Sequence, residues 1–324
     1  MAVSAKGKHE VDMTRGSVFR HLFYFSLPLL AGNLFQQFYN TVDTWVVGNY
    51  VSNEAFSAVG TVSPIINMLI GSFTGLASGA GVVVSQYYGA KRYDKVQDAV
   101  HTSMLLTAIL SVVFTILGVA MVPAMLRLMR TPDNVFAHSA SYLTIYFAGM
   151  AGLMFYNMGA GILRAVGDSR RPFYYLVAAA IINTVLDLVF VLVFRMGVEG
   201  VAYATIIAQA ISAVLTIAAM ARSQSCVRLH LRRLKLHASL LAQIVRVGIP
   251  AALQMAVTAF SNIFVQSYIN QFGSDVMGGW TSYIKVDQLI LLPMQSLALA
   301  ATTGGRMLLL ASPVQALGRL IALA

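Results

Sequence analysis

Charge is scarce in this chain. Only 10% of its 324 residues are charged, 58% are hydrophobic, and the mean hydropathy is +0.72. A soluble domain of this length needs far more charge to cover its surface, so the surrounding solvent must be largely lipid. Cysteine is nearly missing as well. Cys226 is the only one, which excludes an internal disulfide and a cysteine-based metal site and leaves a structural or incidental thiol. No His/Cys metal spacing, nucleophile elbow or phosphate-binding loop occurs, and the six histidines are scattered. His101 and His138 read as span-end or interface residues. Nothing here points to an enzyme or to a cofactor.

Long apolar runs fill the rest. Eight are about 20 residues or longer, enough at about 1.5 Å per residue to cross a hydrocarbon core of about 30 Å: Leu22–Val46, Phe56–Val84, Ser103–Leu126, Tyr142–Leu163, Phe173–Phe194, Val198–Ala221, Leu240–Tyr268 and Gly278–Ala301. Short polar turns join them, which predicts an all-α, polytopic membrane protein. The first run is too long for a cleaved signal peptide and reads as a retained span. The net charge of +10 does not mark a nucleic-acid partner. With the N-terminus inside and eight spans, 18 of the 22 basic residues fall on the cytoplasmic side. Arg127, Arg130 and Arg195 fall outside, and Lys285 lies within a span. This asymmetry predicts a multi-pass protein of the cell (inner or plasma) membrane with a cytoplasmic N-terminus.

The longest polar connection, "RSQSCVRLHLRRLKLHA", divides six spans from two. Its apolar residues alternate with basic ones. Two readings fit: an ordinary cytoplasmic linker, or a segment lying against anionic membrane lipid. A weak repeat crosses the divide, with "FSLPLLAGNLFQQ" (25–37) resembling "VGIPAALQMAVTA" (247–259). Such repeats occur in secondary transporters. Beyond Thr303 the text changes: "GGRMLLLASPVQALGRLIALA" is broken by Gly304-Gly305 and Pro313 and ends in a piece too short to span. It reads as an interfacial tail or as sequence out of its original frame.

Polar groups stand where lipid should be. The first span carries Asn33, Gln36, Asn40 and Asp43 at spacings of 3, 4 and 3, all on one helical face. The fifth carries Asn183 and Asp187 at i and i+4. An ionised group at the bilayer centre costs about 2.5–3.5 kcal/mol even on lenient scales, so such residues face a bundle interior or a wet cavity. Neither aspartate has a basic residue at comparable depth in the first six spans. Such a carboxylate suits reversible loading by a proton, or by Na⁺ with the neutral oxygens of Asn183 and Asn40. The alternative is a permanently protonated packing residue bonded to an asparagine. A rival from another class, an intramembrane aspartyl protease, wants Gly-x-Gly-Asp, whereas Asp187 follows Thr184-Val185-Leu186.

Several stretches together resemble a known family. "FYNTVDTWVVG" (38–48), "GILRAVGDSRRP" (161–172), "NTVLDLVFV" (183–191) and "GVEGVAYATIIAQ" (197–209) are similar to the multidrug and toxic compound extrusion (MATE) transporters. The branch related to DNA-damage-inducible protein F is the nearest in pattern, and the likeness runs from about residue 14 to Thr303. The resemblance implies cation-coupled (H⁺ or Na⁺) antiport that exports organic, amphipathic or cationic small molecules, and a fold of two six-helix lobes. On that pattern residues 1–16 are a cytoplasmic segment and 17–221 the first lobe. Residues 222–238 are the linker, 239–303 two helices of a second lobe, and 304–324 a divergent tail.

Carried over by resemblance, Asp43, Asn183, Asp187 and Thr205 match the family's cation-binding cluster, with Asn157 a nearby polar position. Asn33, Gln36 and Asn40 would support them. Met150, Met154, Phe155 and Met158 offer an adaptable face for an organic cation, joined by Gln254 on the seventh span, where some branches carry an acid. The family's last four spans have no counterpart here, which leads us to expect a chain that does not pump as a monomer. A non-transporting remnant or a half-size subunit is the alternative. A lipid-linked substrate flippase fits less well, because it wants a cationic cavity. Drug identity, the coupling ion and the oligomeric state stay open.

Overall fold

The computed structural model describes residues 18–51, 53–128, 131, 133–230, 232, 234–269, 283, 287 and 290–303. The described part is helical: α1 (Val18–Tyr50), α2 (Asn53–Gly89), α3 (Tyr93–Leu128), α4 (Asp133–Ala165), α5 (Arg170–Leu188), α6 (Gly197–Ala221) and α7 (Ala238–Ile269), followed by α8 (Ile290–Thr303). Among these residues there is no strand. Six stretches combine the length and apolar content needed to cross a membrane, one on each of α2, α3, α4, α6 and α7 and one over Arg170–Val193. α1 has the length, at 33 residues, and carries the polar stripe. The predicted eighth span begins outside the described residues, as does everything after Thr303.

Large side chains at helix crossings would hold the helices apart, and the sequence places glycines there instead. Gly71, Gly75 and Gly79 repeat at i+4 along α2. A methyl group on Gly75 would sit 2.5 Å from the backbone nitrogen of Ala252, and one on Gly79 would strike the backbone of Gly248. α2 and α7 therefore meet backbone to backbone, the small-residue contact that suits a medium with no hydrophobic drive between helices. α7 packs against α2 more extensively than any other pair of helices in the protein. The two helices after the linker thus lie on the lobe that precedes it.

α4 forms the centre, packed against α2, α3 and α6. Its buried residues divide between two apolar clusters. One gathers Met150, Met154, Phe147 and Leu143 with Val62 and Phe73 of α2 and Val201 of α6. The other gathers Met158, Ile162 and Leu163 with Val84 of α2, Val100 of α3 and Ile244 of α7.

The linker also differs from its lipid-facing reading. Cys226 and Val227 are fully buried and Leu229 nearly so, within the second of those clusters, while Arg228, Arg232 and Lys235 point outward. The alternation of apolar and basic residues records a segment docked on protein. Cys226, Val227 and Leu229 face protein, whereas Leu236 is exposed.

Candidate functional site

α5 is positioned by the turn that precedes it. Gly167 (φ +88°) ends α4 in the left-handed conformation. Its own N–H donates to the Arg164 carbonyl, and that of Asp168 to Leu163, both at 3.0 Å, which closes the helix end. The buried Asp168 carboxylate then accepts from the Arg171 N–H at 3.1 Å and pairs with the Arg171 side chain at 3.1 Å. It thereby caps the first turn of α5. Pro172 sits in that first turn, where its missing N–H is harmless, and its carbonyl accepts from Tyr156 Oη at 3.1 Å. The "GDSRRP" loop is thus a rigid mount that sets the rotation of α5.

That rotation turns Ala179, Ala180, Asn183 and Asp187 inward. Asn183 is 2% exposed and Asp187 not at all. Neither the amide nitrogen nor the oxygen of Asn183 has a hydrogen-bond partner among the described residues. A buried amide is ordinarily satisfied by a neighbouring side chain, water or an ion. Immediately after Asp187 the helix changes: Val189–Val193 is a π-helical turn, with Phe194 N–H bonding to Val189 at 3.1 Å. Such turns widen a helix and recur at functional sites.

Neighbouring helices bring further groups to the same depth. The absent side chain of Gly200 on α6 leaves room for Phe190, which a methyl there would meet at 3.0 Å. Asp187 lies about 4.5 Å before Phe190 along its helix and Thr205 about 7.5 Å beyond Gly200 on the antiparallel α6, so the two share a level to within about 3 Å. Thr205 is buried, and its hydroxyl donates to the Val201 carbonyl at 2.9 Å, which leaves its oxygen lone pairs available. On α1, a methyl at Gly32 would touch Leu176 at 3.4 Å, and Val51 reaches Gly197 near the other end. α1 and α5 therefore run parallel. Asp43 lies as far beyond Gly32 as Asp187 lies beyond Leu176, so its backbone stands at the depth of Asp187. The side chains of Asn40 and Asp43 lie outside the described residues.

The supporting residues have separate places. Asn33 on α1 donates to Ser296 Oγ at 3.3 Å, which ties α1 to α8 rather than to the aspartates, and Gln36 is half-buried. Asn157 donates to the Leu153 carbonyl at 2.9 Å. The proposed organic-cation face needs correction. Met150, Met154 and Met158 are at most 3% exposed and fill the core around α4, with Phe155 packed against it. A central helix contacted on several sides has no free face to offer. Gln254 is exposed on α7, away from them.

Gln209 went unnoticed in the sequence. It lies one turn beyond Thr205 on α6 and donates to Tyr146 Oη at 3.3 Å, and its Oε1 is buried without a hydrogen-bond partner. Its spacing of four from Thr205 was the available signal. Among the described residues no group of three or more His, Cys, Asp or Glu could hold a metal ion by side chains of those types.

The MatE family model matches residues 28–189. The probable multidrug resistance proteins YoeA and YpnP of Bacillus subtilis are 31% and 32% identical over 89% and 90% of this chain, and 64% of each relative is covered. The multidrug export protein MepA of Staphylococcus aureus is 22% identical over 80% of the chain and 58% of its own length. The chain thus spans less than two thirds of the length of these relatives. Among solved structures, a MOP superfamily transporter from Pyrococcus furiosus superimposes with a TM-score of 0.89 at 25% identity, covering 97% of this chain and 70% of that one. An outward-facing multidrug resistance MATE transporter gives 0.87 at 26% over the same shares. The chain is a polytopic, all-α membrane protein that belongs to the MatE family of transporters.

Proposed function

We propose that this protein takes part in cation-coupled (H⁺ or Na⁺) antiport that exports organic, amphipathic or cationic compounds, and that Asp187, Asn183, Thr205 and Asp43 form the coupling site. Residues 17–221 act as the cation-binding lobe, 222–238 as its linker and 239–303 as the start of the partner lobe. The observation that carries the reading is the Asn183–Asp187 pair: fully enclosed, level with Thr205 and the Asp43 backbone, and followed at once by a π-helical turn. The names of the relatives support the export of drugs.

The coupling follows from elementary electrostatics. An empty, ionised Asp187 inside a lipid-embedded bundle is costly, and a bound proton or Na⁺ removes that cost. Loading therefore shifts the balance between two packings of α1, α5 and α6. A unit charge moving across the membrane contributes about 2.3 kcal/mol per 100 mV toward that shift. Asn183 supplies its amide oxygen, Oδ1, to a dehydrated cation, and Thr205 an additional oxygen.

The experiment is equilibrium binding of radioactive Na⁺ to the purified chain across a pH series. One site is expected, weakened as pH falls if protons compete, and absent in Asp187→Asn. An Asp187→Asn variant that binds Na⁺ and releases protons as the parent does would overturn the assignment. Displacement of a fluorescent organic cation by Na⁺ tests the exchange separately.

A further inference from the structure

A second polar cluster lies far from Asp187, where the linker meets the start of α3. α3 has 36 residues, about 54 Å of helix against a hydrocarbon core of about 30 Å, so its first turns project beyond the membrane. His101 stands there, 5% exposed. Its Nδ1 lies 2.7 Å from the Gln97 carbonyl oxygen, an atom that can only accept. Its Nε2 lies 3.1 Å from the backbone N–H of His230, which can only donate. The two contacts define one species: neutral imidazole with the proton on Nδ1. The His230 ring stacks on His101 with centroids 6.1 Å apart and planes at 23°, and its Nδ1 is 3.4 Å from the Gln97 amide nitrogen. Further along, Thr102 donates to the Lys235 carbonyl and accepts from the His237 N–H, both at 3.3 Å.

We infer that His101 and His230 form a proton-operated latch that holds the linker on α3 only while both rings are neutral. A proton added to Nε2 of His101 turns an acceptor into a donor aimed at the His230 N–H, and the bond that docks the linker is lost. A proton on Nδ1 of His230 removes the acceptor for Gln97 in the same way. Either event places a cation in a stacked pair. Histidine is the side chain suited to this, because its charge changes between about pH 5 and pH 8.

The other charged and titratable groups in the cluster are Asp98 and Lys95 on α3 and Lys235 and His237 on the linker. Asp98 lies 3.9 Å from Lys95 and 3.5 Å from His237. Protonation of His237 strengthens its pair with Asp98, so the far end of the linker stays pinned while the end at His230 lifts. From α7, Leu240 and Ile244 reach the adjoining cluster, and Gln243 accepts from Tyr87 Oη of α2 at 3.2 Å. Acid on this side thus loosens the joint between α6 and α7 without any need for transport to be active.

Cys226, the only cysteine and fully buried four residues before His230, reports the latch. The full chain in detergent is treated with a maleimide between pH 8 and pH 5.5, in parallel with the double variant His101→Gln/His230→Gln, which keeps an acceptor at both places but cannot titrate at either. The ratio of the two labelling rates cancels the pH dependence of the thiol itself. It is expected near one at pH 8 and to rise to about tenfold at pH 5.5. A ratio that stays flat overturns the latch. Should the variant fail to fold, hydrogen exchange of the parent decides: the His230 amide, corrected for intrinsic rate, loses protection below pH 6, and unchanged protection again refutes the proposal.

Discussion

At the residue scale, Asn183 and Asp187 stand one turn apart on the inward face of α5. Asn183 contributes two polar atoms with no protein partner among the described residues, so the apolar isostere Asn183→Leu removes a polar atom without breaking any described hydrogen bond. Its expected effect is a loss of Na⁺ affinity of about 1–3 kcal/mol, the usual cost of one buried polar contact, with thermal stability unchanged or raised. Binding isotherms and melting curves on the same samples check both halves. Asp168 presents the opposite case. Asp168→Ala removes the cap of α5 and strands Arg171, and it is expected to lower stability by about 1–2 kcal/mol, measured by thermal unfolding. It lies too far along the helix to touch Asp187, so any accompanying loss of cation affinity would show that the turn sets the rotation of α5.

At the element scale, the π-helical turn after α5 and the α2–α7 glycine crossing each make a prediction. A π-turn holds one residue more than the α-helix it interrupts. Deleting Leu192 from Val189–Val193, the end of the helix that α5 begins, should return that last turn to α-helical spacing and rotate the residues that follow by about 100° relative to Asp187. Helical content by circular dichroism should persist while Na⁺ binding falls at least tenfold, through misalignment of α5 with Gly200. The α2–α7 crossing makes a different prediction. Gly79→Leu cannot be accommodated against the backbone of Gly248. The variant should separate α7 from α2, exposing the linker to proteolysis at neutral pH while the six-helix lobe stays folded. Intact resistance to protease would show that the contact is not required.

At the scale of the whole molecule, the basic residues gather at one end, the end that also carries the His101 latch and the "GDSRRP" turn. The positive-inside reading places that end in the cytoplasm. Protease cleavage in the Lys91–Lys95 turn, which is exposed at Lys91, Arg92 and Lys95, should therefore occur in inverted vesicles and not in right-side-out ones. The reverse pattern would invert the orientation. α7 and α8 contribute another feature of the whole. Through Gly248, Ala252 and the Ser296–Asn33 bond they attach to α2 and α1. The helices that follow the linker are therefore in direct contact with α1 as well as α2.

How much of this was legible beforehand depends on the distance over which each cause acts. Apolar runs, the excess of cations at one end and the i, i+4 pair Asn183–Asp187 are local patterns. They determined a polytopic helical membrane protein and an enclosed carboxylate, because lipid tolerates little else. The shared depth of Asp187 and Thr205 needed the Phe190–Gly200 contact, and that of Asp43 needed Gly32 against Leu176, both long-range contacts invisible to spacing. The methionines of α4 have a composition that suits an adaptable surface or a core equally well. Only the helices closing around α4 decided for the core. Likewise, the linker read as an ordinary cytoplasmic connection or as a segment against anionic lipid, and neither reading foresaw its contact with a histidine on α3 more than a hundred residues earlier. Periodicity follows from the geometry of one helix. Which face meets which neighbour is set by the packing of all of them.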